Sequence, residues 1–406
     1  MRATKFWTVV TLTGFALAGL NYSSANAAVK AGAVCKKAGQ TSSTAGVKYI
    51  CSKSGKKFVW KQVAAAKPSA PAPMASPSPA ASPTPIEVVP VALPTSFSDL
   101  VQNRKGISQA AWAKVNQTVL KSASKIGTFD IYTGPKTKPY FDDYQKSASL
   151  VSRLFPNTAE PASNIVIRYM YADLAWAEAK VNELLSKSEI ERLTRDEGGR
   201  LLTSNCDSRV PTCMGSKQLT LTNGTSMVLQ GVPEALYPED LAGKDRFYGG
   251  MLEAHEYYHG LQRIPLLGIG IQQKDYPPVW FVEGSAEWVQ NAAINHADFK
   301  KYKNYFELDC QSSCRALKKS DISRILQEAT NSSFPSGYDV FLNYNLGSIL
   351  IESLVAISNP ESIMAMYKEI ATRVGFAAAF KNVYGIEWSQ AIPILSEAVY
   401  LNLQNS

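Results

Sequence analysis

The residues best suited to chemistry are two histidines and a glutamate within five positions. His255 and His259 are two of only three histidines in the chain, and Glu256 follows the first of them. Residues four apart lie on the same face of a helix, so both imidazoles can reach one ion. The glutamate can then direct its carboxylate at a water bound to that ion. The spacing therefore predicts two metal ligands and a general base on one helix.

The residues around this motif have the pattern that such a helix requires. Met251, Leu252 and His255 recur at helical spacing, which indicates a half-buried helix. Pro265 prevents much continuation beyond the second histidine. Two core histidines on one helix would be the alternative, but the full five-residue pattern is uncommon by chance in a chain with so few histidines.

A second predicted helix carries the candidate third ligand. Pro278 suits the first turn of a helix, and Glu283 and Glu287 then share one face. A hydrolytic zinc ion takes three protein ligands and keeps a fourth position for water, so Glu283 is the expected carboxylate ligand. Glu287 is expected to accept a hydrogen bond from the outer nitrogen of a liganding histidine. A solvated helix face is the alternative, against which the flanking tryptophans and phenylalanine argue.

At these residues the chain resembles the gluzincin metallopeptidases, the group of thermolysin and the M1 aminopeptidases, in a secreted bacterial form. The family pattern is His-Glu-x-x-His, then a helix with a glutamate ligand and an acidic residue four positions later. The likeness spans roughly residues 245–390. It implies one catalytic Zn²⁺ and hydrolysis of peptide bonds. The positions that match the pattern are His255, Glu256, His259, Glu283 and Glu287.

A tyrosine further along the chain extends the resemblance. Tyr344, with Gly347 three positions later, resembles the Tyr-x-x-Gly element of M1-like enzymes, whose tyrosine donates to the oxyanion. Tyr344 is therefore the candidate for that role. A core tyrosine at a helix start is an equal alternative, and Tyr338 and His296 remain alternative donors. The chain lacks the Gly-x-Met-Glu-Asn element that grips a substrate amino terminus, which argues against aminopeptidase activity.

Composition divides the chain into four segments. Residues 1–27 have the cations, apolar run and small-residue cleavage site of a secretory signal, with an uncleaved anchor as the alternative. Residues 28–63 form a lysine-rich module with two cysteines, whose short apolar runs between glycines predict a β-hairpin. Residues 64–95 are a Pro/Ala/Ser spacer. Residues 96–406 have the composition of a globular domain, expected to be the metallopeptidase.

The positive charge of the chain is concentrated in the small module. The net charge is +8, yet residues 28–63 contain eight lysines and no acidic residue, whereas the chain after residue 95 has 31 basic and 33 acidic residues. We therefore expect the module to contact an anionic cell-wall polymer or membrane surface, and we expect no nucleic-acid partner. With the signal segment, this predicts a secreted or surface-associated protein.

The cysteines and the strand patterns predict the fold class. Residues 165–170 read as a strand followed by a helix over 172–185, and residues 219–228 read as a hairpin about Asn223-Gly224. The pattern after this hairpin is mostly helical, so we expect an α+β fold. Sequence alone does not determine cysteine pairing, but an exported protein and close spacing favour local bridges. These pairs are Cys35 with Cys51, Cys206 with Cys213, and Cys310 with Cys314.

These features together predict an exported zinc metallopeptidase acting on a peptide or protein substrate. Glu256 would remove a proton from the attacking water and pass it to the leaving amine. A catalytically idle peptidase-like domain in a surface-binding or adhesion protein is the alternative. The complete set of ligands argues against that alternative.

Overall fold

The described residues of this computed structural model are 30–35, 41–44, 47–55, 57–62, 91–207, 209–236, 246–310 and 313–404. The chain divides into two compact units, Met1–Val88 and Val89–Ser406, and the division falls inside the predicted linker. The predicted signal, residues 1–27, lies outside the described residues, and so does most of the linker.

The first unit contains a three-stranded antiparallel sheet. Its strands β1 (Thr41–Thr44), β2 (Val47–Ser54) and β3 (Lys57–Gln62) lie in that order. The predicted hairpin is β2–β3, in which Cys51 lies opposite Trp60. Strand β1 contains only serine and threonine, so no apolar alternation could have revealed it.

The second unit contains a four-stranded mixed sheet. Its order is β4 (Thr128–Thr133), β5 (Ser163–Tyr169), β9 (Ser226–Gly231) and β8 (Gly215–Thr220). The first three strands are parallel, and β8 pairs antiparallel with β9 through the predicted Asn223-Gly224 hairpin. Strand β8 is therefore an edge strand. A short ribbon of β6 (Cys206–Asp207) and β7 (Thr212–Cys213) precedes it.

Helices make up most of the remaining second unit, which is the predicted α+β class. Before the hairpin lie α1 (Ile107–Lys121), α2 (Tyr144–Leu154), α3 (Leu174–Leu184) and α4 (Lys187–Asp196). After it come α5 (Met251–Arg263), α6 (Val279–Ile294), α7 (Phe299–Asp309), α8 (Lys319–Glu328), α9 (Leu342–Ile357), α10 (Glu361–Ala371), α11 (Phe376–Tyr384) and α12 (Trp388–Gln404).

Helix α6 lies at the centre of the main core, where it packs on α5 and α9. Trp280, Phe281 and Trp288 have no exposed surface, so this helix is not the solvated alternative. Its contact with α9 is made through two glycines. A Cβ on Gly284 would lie 2.4 Å from the Gly347 carbonyl carbon, and one on Gly347 would lie 2.5 Å from the Trp280 carbonyl oxygen. Only glycine permits this approach of the two backbones.

All three predicted disulfides are confirmed, and each closes a short local loop. In the first unit the Cys35–Cys51 bridge packs with Trp60, and these three residues are the buried core of its described part. So small a core depends on its covalent link.

Within the described part, no single helix is both long and apolar enough to cross a membrane. One bent pair, α9 with α10 at 100°, meets the length and composition requirements when taken together.

A buried carboxyl on α9 makes the stability of the second unit depend on pH. Burial raises the pKa of Glu352 to about 7, although Ser108 donates a hydrogen bond to its Oε2 at 3.2 Å. Because the folded pKa lies above the unfolded value, the folded state binds the extra proton. Stability is therefore fully present at low pH and is lost as pH rises through about 7.

We expect Glu352→Gln to reduce the loss of stability between pH 5 and pH 8 by roughly 2 to 3 kcal/mol. The glutamine can still accept from Ser108 but does not titrate. Urea unfolding at the two pH values measures the difference. Glu191→Gln, at an exposed position on α4, is the control. Equal pH dependence in wild type and Glu352→Gln would contradict the prediction.

Candidate metal centre

Three predicted ligands converge in the wall of a cleft in the second unit. His255 and His259 lie on α5, and Glu283 lies on α6. These two helices pack against each other. The two histidine Nε2 atoms are 3.1 Å apart, and Glu283 Oε2 lies 3.6 Å from His255 Nε2 and 3.3 Å from His259 Nε2. These residues are the one group of three or more potential ligands found among the described residues.

The size of this triangle fits a four-coordinate metal ion. A tetrahedral ion with bonds of about 2.0 to 2.1 Å holds neighbouring ligand atoms about 3.3 Å apart. The three distances between ligand atoms, 3.1, 3.3 and 3.6 Å, lie close to that value. Two imidazole nitrogens and a carboxylate oxygen are also a donor set that zinc accepts in hydrolases. The residues can therefore hold such an ion without rearrangement.

The charges of the centre favour a bound cation. Burial opposes a charge on His259, but Glu283, Glu256 and Gln262 together outweigh burial and raise the pKa of His259 to about 9. Burial likewise opposes ionisation of Glu283, but the two imidazoles hold its pKa well below the usual range. A proton on His259 thus compensates the carboxylate, and a metal ion would replace that proton.

Glu256 lies in the same cleft with one unsatisfied carboxylate oxygen. Its side chain is buried on α5, and Oε2 has no hydrogen-bond partner among the described residues. Burial raises the pKa of Glu256, and the nearby histidines counteract part of that rise. A buried acceptor without a donor is costly in a folded protein. A water in the cleft would satisfy it.

The outer nitrogen of His259 has a partner that the sequence analysis missed. Its Nδ1 donates to Gln262 Oε1 at 2.8 Å, which leaves Nε2 free to bind a metal. Gln262 is held in turn by hydrogen bonds from its Nε2 to Ser285 Oγ and to the Val282 carbonyl oxygen. A polar residue three positions after the histidine was the available signal.

Glu287 lies beside the outer nitrogen of the other histidine, at a longer distance. Its Oε2 is 3.7 Å from His255 Nδ1, beyond a direct hydrogen bond. Its Oε1 accepts from Tyr305 at 2.6 Å and from Arg246 at 2.7 Å, and also from Gln290. The carboxylate is thus held on the expected side of His255. Its predicted hydrogen bond to that ring stays a prediction.

Of the three candidate oxyanion donors, only Tyr344 lines the cleft. Its ring stacks on His255 with centroids 6.1 Å apart. Nearby Glu283, followed by burial, raises the pKa of Tyr344 well above its usual value, so its hydroxyl stays protonated. Tyr338 instead donates to Asp321, and His296 bonds to the Ala293 carbonyl oxygen. Neither of these two lines the cleft.

The cleft has a volume of about 360 Å³ and is bounded on one side by the edge strand β8. Three cations of the described part of the chain line it. Lys217 pairs with Glu197 at 2.7 Å, and Arg246 pairs with Glu287. The third is Arg263, on the last turn of α5. The other residues that line the cleft include Leu252, Gln290 and Phe341.

No protein-family model, curated protein or solved structure matches this chain, so the assignment of a function depends on the geometry of the centre.

Proposed function

We propose that this protein is an exported zinc-dependent metallopeptidase of the gluzincin type. One observation carries the proposal: two imidazoles and one carboxylate converge at the spacing of a tetrahedral ion, beside a buried carboxylate with an unsatisfied oxygen. A purely structural role would leave Glu256 without a reason to be buried and unpaired beside three ligands.

Each residue of the centre has a role in this reaction. Zinc held by His255, His259 and Glu283 would supply an acidified water and polarise the substrate carbonyl. Glu256 accepts the proton of the attacking water and delivers it to the departing amine nitrogen. Tyr344 donates its hydroxyl proton in a hydrogen bond to the oxygen that becomes negative.

The edge strand β8 supports a peptide as the substrate class. Gly215, Ser216, Lys217 and Gln218 line the cleft, and among the described residues only one edge of β8 is paired with another strand. An extended peptide can add to such an edge through main-chain hydrogen bonds, which recognise any peptide independently of sequence.

The alternative is an idle peptidase-like domain in a protein whose function is adhesion through the lysine-rich unit. In that unit Lys30, Lys53, Lys57 and Lys61 are exposed, and Val34 is 70% exposed. These side chains suit contact with an anionic wall polymer or membrane surface. Such contact is also compatible with an active enzyme held at that surface.

Zinc should stabilise the wild-type protein through the three ligands. At about a hundredfold excess over its dissociation constant, we expect Zn²⁺ to raise the midpoint of thermal unfolding by about 5 °C. Glu283→Gln should lose most of this shift. His296→Ala, at the one histidine outside the centre, should retain it. An equal shift in all three proteins would exclude binding at these ligands.

Glu256→Gln should retain zinc and lose hydrolysis. The amide keeps the shape of the side chain but cannot accept the water's proton, so we expect a fall in turnover of about 10²-fold or more. Cleavage of a mixed peptide library and metal analysis of the same preparation measure both quantities.

Glu352→Gln, which alters a buried glutamate outside the cleft, is the control and should cleave as wild type does. A wild-type protein that binds zinc but cleaves no peptide would favour the idle alternative. Undiminished cleavage by Glu256→Gln would refute the assigned base.

Tyr344→Phe should lower kcat by roughly 10- to 100-fold with little change in KM, because the lost hydrogen bond forms only as the oxyanion develops. Tyr338→Phe is the matched control and should leave both constants unchanged. If Tyr338→Phe lowers kcat and Tyr344→Phe does not, the oxyanion donor is wrongly assigned.

A further inference from the structure

A side pocket continues from the catalytic cleft past the metal ligand Glu283. Both cavities share Arg263, Val282 and Glu283 in their walls. The side pocket has a volume of about 200 Å³, below the roughly 300 to 1,000 Å³ of pockets that enclose whole small ligands. It is therefore suited to one residue of a longer ligand whose scissile bond lies at the metal.

The walls of this pocket combine apolar surface with polar groups: Gln262, Glu283 and Asn331 line it together with two hydrogen-bond donors, Arg263 and the Tyr367 hydroxyl. Leu266, Val279 and Val282 supply apolar surface, with the rings of Tyr276 and Tyr367. Tyr367 is only 2% exposed, and its hydroxyl has no hydrogen-bond partner of normal geometry among the described residues. The Ser285 side chain lies near this hydroxyl, whose proton can be donated to an acceptor in the pocket.

Arg263 is the second donor of the pocket, and unlike Tyr367 it is exposed to solvent. Among the cations that line the cleft, Lys217 and Arg246 are already paired with carboxylates, whereas Arg263 forms no ion pair or hydrogen bond within the described residues. Its guanidinium carbon lies 5.9 Å from the centre of the Tyr276 ring. Stacking on a ring face restrains the guanidinium while its N–H edge stays free for an oxygen acid.

We propose that this pocket is a carboxylate-binding subsite of the proposed peptidase. Arg263 and the Tyr367 hydroxyl would donate to a substrate carboxylate, and the apolar walls would hold the carbon chain that carries it. The carboxylate can belong to an acidic side chain or to a free C-terminus, because the donors recognise the same group in both. The inference rests on the proposed metal centre, since that centre places the scissile bond.

Three hydroxamate-capped dipeptides can test this on the zinc-loaded, full-length protein. The hydroxamate binds the metal, and the first residue is leucine in each. The last residue is glutamate with an amidated C-terminus, glutamine with a free C-terminus, or glutamine with an amidated C-terminus. Calorimetric titration measures the three dissociation constants without any need for turnover.

We expect at least one carboxylate probe to bind about tenfold more tightly than the neutral probe. The probe that gains affinity identifies the source of the carboxylate. Arg263→Gln should abolish the difference, and Arg263→Lys should restore part of it by keeping the charge. Arg324→Gln should preserve it, because Arg324 stacks on Tyr338 at 5.6 Å in the same manner but lies outside both cavities.

Two different results would overturn the proposal. If all three probes bind equally to the wild type, or if the preference survives in Arg263→Gln, the pocket is not a carboxylate subsite while the metal centre stands. If no probe binds to the zinc-treated protein, the metal centre itself fails, and the subsite fails with it.

Discussion

In the cleft, two carboxylates lie close to two imidazoles, and the surrounding helices have to hold these groups in place. Glu256 and His255 are buried, and the partly exposed Glu283 has its Oε2 at 3.3 Å from His259 Nε2. Carboxylates that close together repel unless a cation lies between them. The raised pKa of His259 expresses this need for positive charge. The surrounding helices must therefore hold charged groups together against repulsion, which only a rigid core can do.

That rigidity comes from the residues that hold Gln262 and Glu287 beside the two histidines. Gln262 is fixed by two groups of α6, and Glu287 by Tyr305 of α7 together with Arg246. Each histidine thus has a polar neighbour that is itself restrained, so imidazole orientation depends on packing between helices as much as on α5. Arg263 and Tyr367 lie beside this restrained centre, in the wall of the side pocket.

The sequence predicted what local spacing can encode. Ligands four apart on a helix, disulfides across short loops and the Asn223-Gly224 hairpin all depend on neighbours along the chain, and the structure brings them together as expected. Strand β1 escaped because it has no apolar residue. The side pocket escaped because α5, α10 and the segment before α6 meet there from distant parts of the sequence. The local sequence patterns of these segments do not predict that they come into contact.

The Gly284–Gly347 contact limits which parts of this cleft can vary in sequence. Gly284 follows the candidate ligand Glu283 directly, and Gly347 lies one turn after Tyr344. The separation between Glu283, the candidate ligand, and Tyr344 is therefore constrained by two backbones in direct contact. Variation in selectivity is left to the rim, where strand β8, Phe341 and Arg263 can change without altering that spacing. The spacing of the centre is thus fixed by the backbone, whereas the residues at the rim of the cleft can vary.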